Sequence, residues 1–107
     1  MWPFRSVPTV SPAEAAQKVL AANVGFIDVR SPAEYKSGHA TGATNYPLGE
    51  LGSAQVEKLR PLTEVYVICQ SGGRSATATS TLVAAGINAF SVAGGTSAWK
   101  SLGLPIS

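Results

Sequence analysis

The sequence predicts an α/β fold with a mainly parallel sheet, and three observations carry that expectation. Strand-like and helix-like segments alternate along the whole chain, as crossover units between parallel strands require. Turn residues (Gly, Pro, Asn) separate those segments at short intervals. The run EVYVIC, Glu64 to Cys69, is the strongest strand signal in the chain, rich in β-branched residues.

Taken in order, Ser6 to Val10 reads as a short edge strand. Ser11 and Pro12 are suited to N-cap and first helical position, and Glu14 completes a capping-box spacing. The helix they open is expected to continue through AEAAQKVLAAN, with Ala15, Ala16, Val19 and Leu20 as its apolar stripe and Asn23 as its stop. Gly25 to Val29 reads as a buried strand. Ser31-Pro32 starts a second helix, with Glu34 at the capping-box position. Gly38 and Gly42 bracket a loop, and Ala43 to Tyr46 form a brief strand ended by Pro47. Leu48 to Leu59 is expected to be a helix weakened at its start by Gly49 and Gly52 and closed by Pro61. After the Glu64–Cys69 strand and a small polar loop, Ser75 to Ala85 reads as a helix stopped by Gly86. Asn88 to Val92 is a strand, Gly94-Gly95 a turn, and Thr96 opens a last helix beyond which Leu102 and Leu104 pack.

The 107 residues make one domain, 1–107, with 1–5 as a short N-terminal extension. Eight basic and six acidic residues leave a net charge of +2 with no basic run, which argues against nucleic acid as partner. No stretch is apolar for long enough to span a bilayer, and MWPFRSVPTV lacks the apolar run of a secretory signal. A single cysteine excludes an intrachain disulfide and fits a reducing compartment, so a cytoplasmic location is expected. One Cys and one His far apart in sequence make no metal site, and no cofactor is expected.

The chemistry concentrates in VICQSGGRSATATSTLVAAG. Cys69 ends a strand, a short loop follows, and a helix begins. In open α/β sheets ligands sit outside the carboxyl ends of strands. A helix N-terminus offers unsatisfied N–H groups and a partial positive charge. Gly72 and Gly73 let the backbone turn so that successive N–H groups point inward as an anion nest. Such a nest stabilises a thiolate and lowers its pKa, and Arg74 adds a positive charge. A cysteine at a strand end is by itself more often a small buried hydrophobe; the Gly-Gly-Arg-Ser behind Cys69 favours the nucleophile.

Three segments in order then resemble the rhodanese homology domain: FIDVRSPAEYKSGHATGATNYPL (Phe26–Leu48), VICQSGGRS (Val67–Ser75) and VAGGTSAWKSLGLP (Val92–Pro105). The resemblance spans nearly the whole chain. It implies a three-layer fold, a five-stranded, mostly parallel sheet with helices on both faces. It also implies a thiosulfate sulfurtransferase, moving sulfane sulfur from thiosulfate or another persulfide donor to cyanide or a thiol. By position, Cys69 becomes the nucleophile and persulfide carrier, and Gln70, Ser71, Gly72, Gly73 and Arg74 the substrate-binding cradle. The partners implied are a small anionic sulfur donor and an acceptor thiol such as a thioredoxin-like protein. Asp28, Arg30 and Glu34 are expected to be scaffold residues, with Arg30 pairing Glu34 across a helical turn. His39 is expected to order its loop and Trp99 to anchor the core; Trp2 and Phe4 are candidates for packing or a partner surface.

Two other readings stand beside this one. A non-catalytic rhodanese-like binding or regulatory module shares the fold, but such modules usually lack the cysteine. A phosphatase or arsenate reductase also uses a Cys-to-Arg loop, but one residue longer than the four residues between Cys69 and Arg74. It also needs an acid for its leaving group, and the loop holds none.

Overall fold

The computed structural model describes residues 7–107. The expectations for Ser6, Trp2, Phe4 and the N-terminal extension lie outside them. Five strands form one sheet: β1 (Thr9–Val10), β2 (Val24–Asp28), β3 (Thr44–Asn45), β4 (Glu64–Ile68) and β5 (Ala89–Val92). Their spatial order is β1-β5-β4-β2-β3, and every pairing is parallel. The helices are α1 (Pro12–Lys18), α2 (Pro32–Lys36), α3 (Ser53–Leu59), α4 (Gly73–Ala84) and α5 (Gly95–Ser101). The α/β expectation and the five-stranded parallel sheet are both met.

Alternation along β4 sorts the core into two layers. Val65 and Val67 join Ile27, Val29, Val56, Leu59, Ala78 and Leu82 on the face covered by α3 and α4. Tyr66 and Ile68 join Ala15, Phe26, Val92 and Trp99 on the face covered by α1 and α5. Trp99 is buried, lies 5.4 Å from the Phe26 ring and donates its Nε1–H to Pro105 O at 2.7 Å.

Local chemistry explains where elements begin and where the sequence expectations need correction. Ser31 and Glu34 form the full reciprocal capping box of α2, whereas at α1 only the Ser11 half forms, accepting from the Glu14 N–H at 3.1 Å. Helix α1 ends at Lys18, short of Asn23, and Leu20 is exposed rather than part of the stripe. Asn23 instead takes a left-handed φ of 65° in the following turn, a conformation Asn tolerates. The continuous helix expected over 48–59 is broken: Leu48–Glu50 form a 3-10 turn, and Gly52, in extended conformation, caps α3. Helix α4 starts two residues earlier than expected, at Gly73. Leu104 packs on the core, but Leu102 is exposed.

Candidate active site

Strand β4 is central, with β2 on one side and β5 on the other. The chain leaves β2 outward to β3 and leaves β4 in the opposite direction to β5. The order therefore reverses between β2 and β4, the position where open α/β sheets bind ligands. Cys69 follows β4 there, and the turn at Val29–Ser31 follows β2 beside it.

The Cys69 side chain is buried, 1 % exposed, on the α3/α4 core layer. It is not left in an apolar setting. Gly72 donates its N–H to Sγ at 3.1 Å, and the thiol donates to Ser75 Oγ at 3.4 Å. The N–H groups of Ser75 and Ser71 also face the sulfur. Burial alone would push the thiol up; the Ser75 hydroxyl and the amides of Ser75, Gly72 and Ser71 outweigh it, and the thiol lies below its ordinary value.

Backbone geometry sets this cradle. Gly72 is the N-cap of α4 with φ of 121°, a conformation side chains rarely adopt. Gly73, expected to share that burden, is already the first helical residue, and a Cβ there would meet nothing within 4 Å. Behind the loop, α5 holds the carbonyls. The Thr96 N–H and Oγ1–H donate to Cys69 O at 2.8 and 2.9 Å, and the Ser97 N–H donates to Gln70 O at 3.1 Å. In a trans peptide the N–H points opposite to the carbonyl. Fixing Gln70 O toward α5 therefore turns the Ser71 N–H toward the sulfur.

The side chains around the cradle form two ion pairs that the sequence expectation paired wrongly. Arg30 does not reach for Glu34. It is buried against Asp28, Nη2 to Oδ2 at 2.9 Å, with Nε donating to both carboxylate oxygens at 3.1 Å. Arg30 also donates to Gly38 O at 2.7 Å and to Gln70 Oε1 at 3.2 Å. The spacing of Asp28 and Arg30 along an extended chain brings their side chains to one face, which favours this pair over the helical one. Gln70 passes the link on by donating to Ser97 Oγ at 2.9 Å. Its side chain thus ties the loop after β4 to the turn after β2 and to α5.

Glu34 instead takes Arg74, at 2.7 Å to Nη1 and 2.9 Å to Nη2. The Arg74 guanidinium, helped by the Ser31 N–H, holds the Glu34 carboxyl down to about 2. Arg74 is therefore both the surface ion-pair partner and a positive charge felt by Cys69. His39 stacks on Tyr35 with ring centroids 3.7 Å apart, and its Nδ1 is 2.9 Å from Tyr35 O. That is a loop-ordering position.

Sequence reasoning missed Ser75, Ser91 and Thr96 as contributors. The Ser75 hydroxyl one residue past Arg74 was a readable signal; Ser91 and Thr96 arrive from β5 and α5 through tertiary packing. Among the described residues no group of three or more His, Cys, Asp or Glu side chains stands together as a metal site would need. Nor is any described helix long and apolar enough to cross a membrane.

Comparison with known proteins adds an independent line. The family model for the rhodanese-like domain matches residues 11–102. Thiosulfate sulfurtransferase 16, chloroplastic, from Arabidopsis thaliana is 37 % identical over 111 residues, covering 92 % of each chain. Rhodanese-like domain-containing protein 15, chloroplastic, of the same plant is 33 % identical over 94 % of this chain, which spans 62 % of that longer protein. Among solved structures, a rhodanese-related protein from Thermoplasma volcanium superposes with a TM-score of 0.84 at 30 % identity, covering 94 % of this chain and 97 % of that one.

Proposed function

The chain belongs to the rhodanese-like domain family, a family that includes sulfurtransferases, and on that premise we propose that it is a thiosulfate sulfurtransferase with Cys69 as persulfide carrier. The observation that carries the proposal is the set of amides and the Ser75 hydroxyl gathered around Cys69 Sγ. These groups stabilise negative charge on sulfur and would hold a persulfide equally well.

In the proposed reaction the Cys69 thiolate attacks the outer sulfur of thiosulfate. The S–S bond of the donor breaks, sulfite leaves with the electron pair, and a Cys69 persulfide forms. Sulfite is a stable anion, so the step needs no general acid, and the loop from Gln70 to Arg74 contains no carboxylate or histidine. Cyanide or an acceptor thiolate then attacks the outer persulfide sulfur, taking it as thiocyanate or a new persulfide and releasing the Cys69 thiolate. The scheme is covalent and ping-pong. In it Ser71, Gly72 and Ser75 bind through their amides, Arg74 supplies positive charge, and Gln70 acts through its hold on the loop. The donor is a small sulfur anion or another persulfide; the acceptor is a small nucleophile or the thiol of a thioredoxin-like protein. We retain the cytoplasm as the proposed location on the single free cysteine; two relatives are chloroplastic by name, and imaging of the tagged protein in its own cells decides.

The test is steady-state turnover of thiosulfate with cyanide beside hydrolysis of an aryl phosphate. Thiocyanate formation with parallel-line ping-pong kinetics, lost in Cys69→Ser, is expected. Phosphate release without thiocyanate would replace the proposal by a phosphatase, and neither product would leave a binding module.

A further inference from the structure

Ser75 of α4 and Ser91 of β5 bring two buried hydroxyls together. Ser75 is fully buried and Ser91 is 3 % exposed. Ser91 pairs in register with Val67 of β4, and its side chain sits where an apolar residue would cost less. Its Oγ lies 2.8 Å from Ser75 Oγ, the partner the structure gives it. Ser75 Oγ in turn lies 3.4 Å from Cys69 Sγ and 3.1 Å from Gly72 O.

A hydroxyl has one proton to give and two lone pairs to fill. With Cys69 as a thiol, Ser75 accepts from Cys69 and from Ser91 and donates to Gly72 O, which uses its whole capacity. Once the thiol has lost its proton to water, Sγ only accepts. The Ser75 proton can then turn from Gly72 O onto the sulfur, while Ser91 still donates to Ser75 Oγ.

We propose that Ser91 is a positioning residue: through Ser75 it holds a hydroxyl whose single proton turns onto the Cys69 sulfur when that sulfur is negatively charged. A donation received by Ser75 polarises its own O–H and strengthens the bond it makes. The charged groups around the sulfur leave this contribution separable. Arg74 on α4 brings a positive charge that acts on the sulfur and is itself paired with Glu34 of α2. Asp28 and Arg30 at the end of β2 neutralise each other. Strand β5 carries no ionisable side chain, and Lys100 of α5 lies toward Gly38.

The proposal rests on the sulfur-carrying role given to Cys69, but thiolate formation is read without any sulfur donor. Its failure is therefore distinct from a failure of sulfur transfer. The experiment follows alkylation by iodoacetamide, a neutral probe, against pH, with thiolate absorbance as a second readout. Ser91→Ala is expected to raise the midpoint by on the order of 0.5 pH unit, about threefold less thiolate below the midpoint. Ser91→Thr should keep the original midpoint, and Ser75→Ala should raise it at least as far as Ser91→Ala. Should the alanine variant fail to fold, the isosteric pair Ser91→Thr and Ser91→Val makes the same comparison. A midpoint that is unchanged or lowered in folded Ser91→Ala, or equal in the Thr and Val variants, overturns the proposal.

Discussion

Gly95 is pressed against the backbone of Cys69: a Cβ at position 95 would lie 2.5 Å from Cys69 O and 2.6 Å from the Gln70 carbonyl carbon. Both obstacles are main chain, so neither can swing aside, and Gly95 also has φ of 57°. This close approach lets α5 hold the two carbonyls that orient the cradle. Gly95→Ala should therefore separate α5 from the loop. We expect sulfur transfer to fall on the order of 100-fold, with a lower melting temperature, in thiosulfate–cyanide turnover and thermal denaturation of the same preparation.

The two loop glycines should behave differently. Gly72 has a φ of 121°, so Gly72→Ala is expected to cost about 1–3 kcal/mol in urea unfolding and to impair turnover. Gly73 is helical and faces open space. Gly73→Ala should leave stability within about 0.5 kcal/mol of the parent or raise it.

The cradle has a pH signature. The folded thiol lies below its ordinary value, so alkylation should reach half-maximal rate at a lower pH than it does for the same cysteine in the unfolded chain. The sign for stability follows from the same direction. A depressed folded pKa contributes stability that is full above the unfolded thiol's value and fades as pH falls through the folded one. Urea unfolding of the parent should thus gain stability with rising pH in that window, and Cys69→Ser should lose that gain.

The Asp28–Arg30 pair is buried, so removing one partner strands the other. Arg30→Met should destabilise the protein by about 3–5 kcal/mol in chemical denaturation. Lys at the same position cannot reproduce the fork that Arg30 presents to Asp28, and Arg30→Lys should recover less than half of the loss.

Much of this architecture was legible in the chain. Strand β4 announced itself through its β-branched run, Ser31 and Glu34 announced the start of α2, and the parallel sheet followed from alternation. The segment from Cys69 to Arg74 was legible as an anion nest because glycines and a helix start lie within a few residues. What stayed hidden is tertiary. Gly95 reads locally as a turn glycine, and only packing of α5 on the loop reveals the space it must leave. Ser91 and Thr96 look like ordinary polar residues of a strand and a helix until folding sets them behind the sulfur. The pairing of Glu34 with Arg74, 40 residues apart, competes with a helical-turn pairing of Glu34 and Arg30 that local spacing suggests equally well. Burial beside Asp28 decides it. Helix ends were the weakest local signals, as at Leu20, whose side chain extends the apolar pattern past the end of α1 into solvent.

The central claim, that Cys69 is where sulfane sulfur is carried, is tested most directly by intact-mass spectrometry after incubation with thiosulfate. The protein should gain the mass of one sulfur atom, lose it on addition of cyanide, and show no gain as Cys69→Ser. An unmodified mass for the parent protein under conditions where a known rhodanese is loaded would contradict the account.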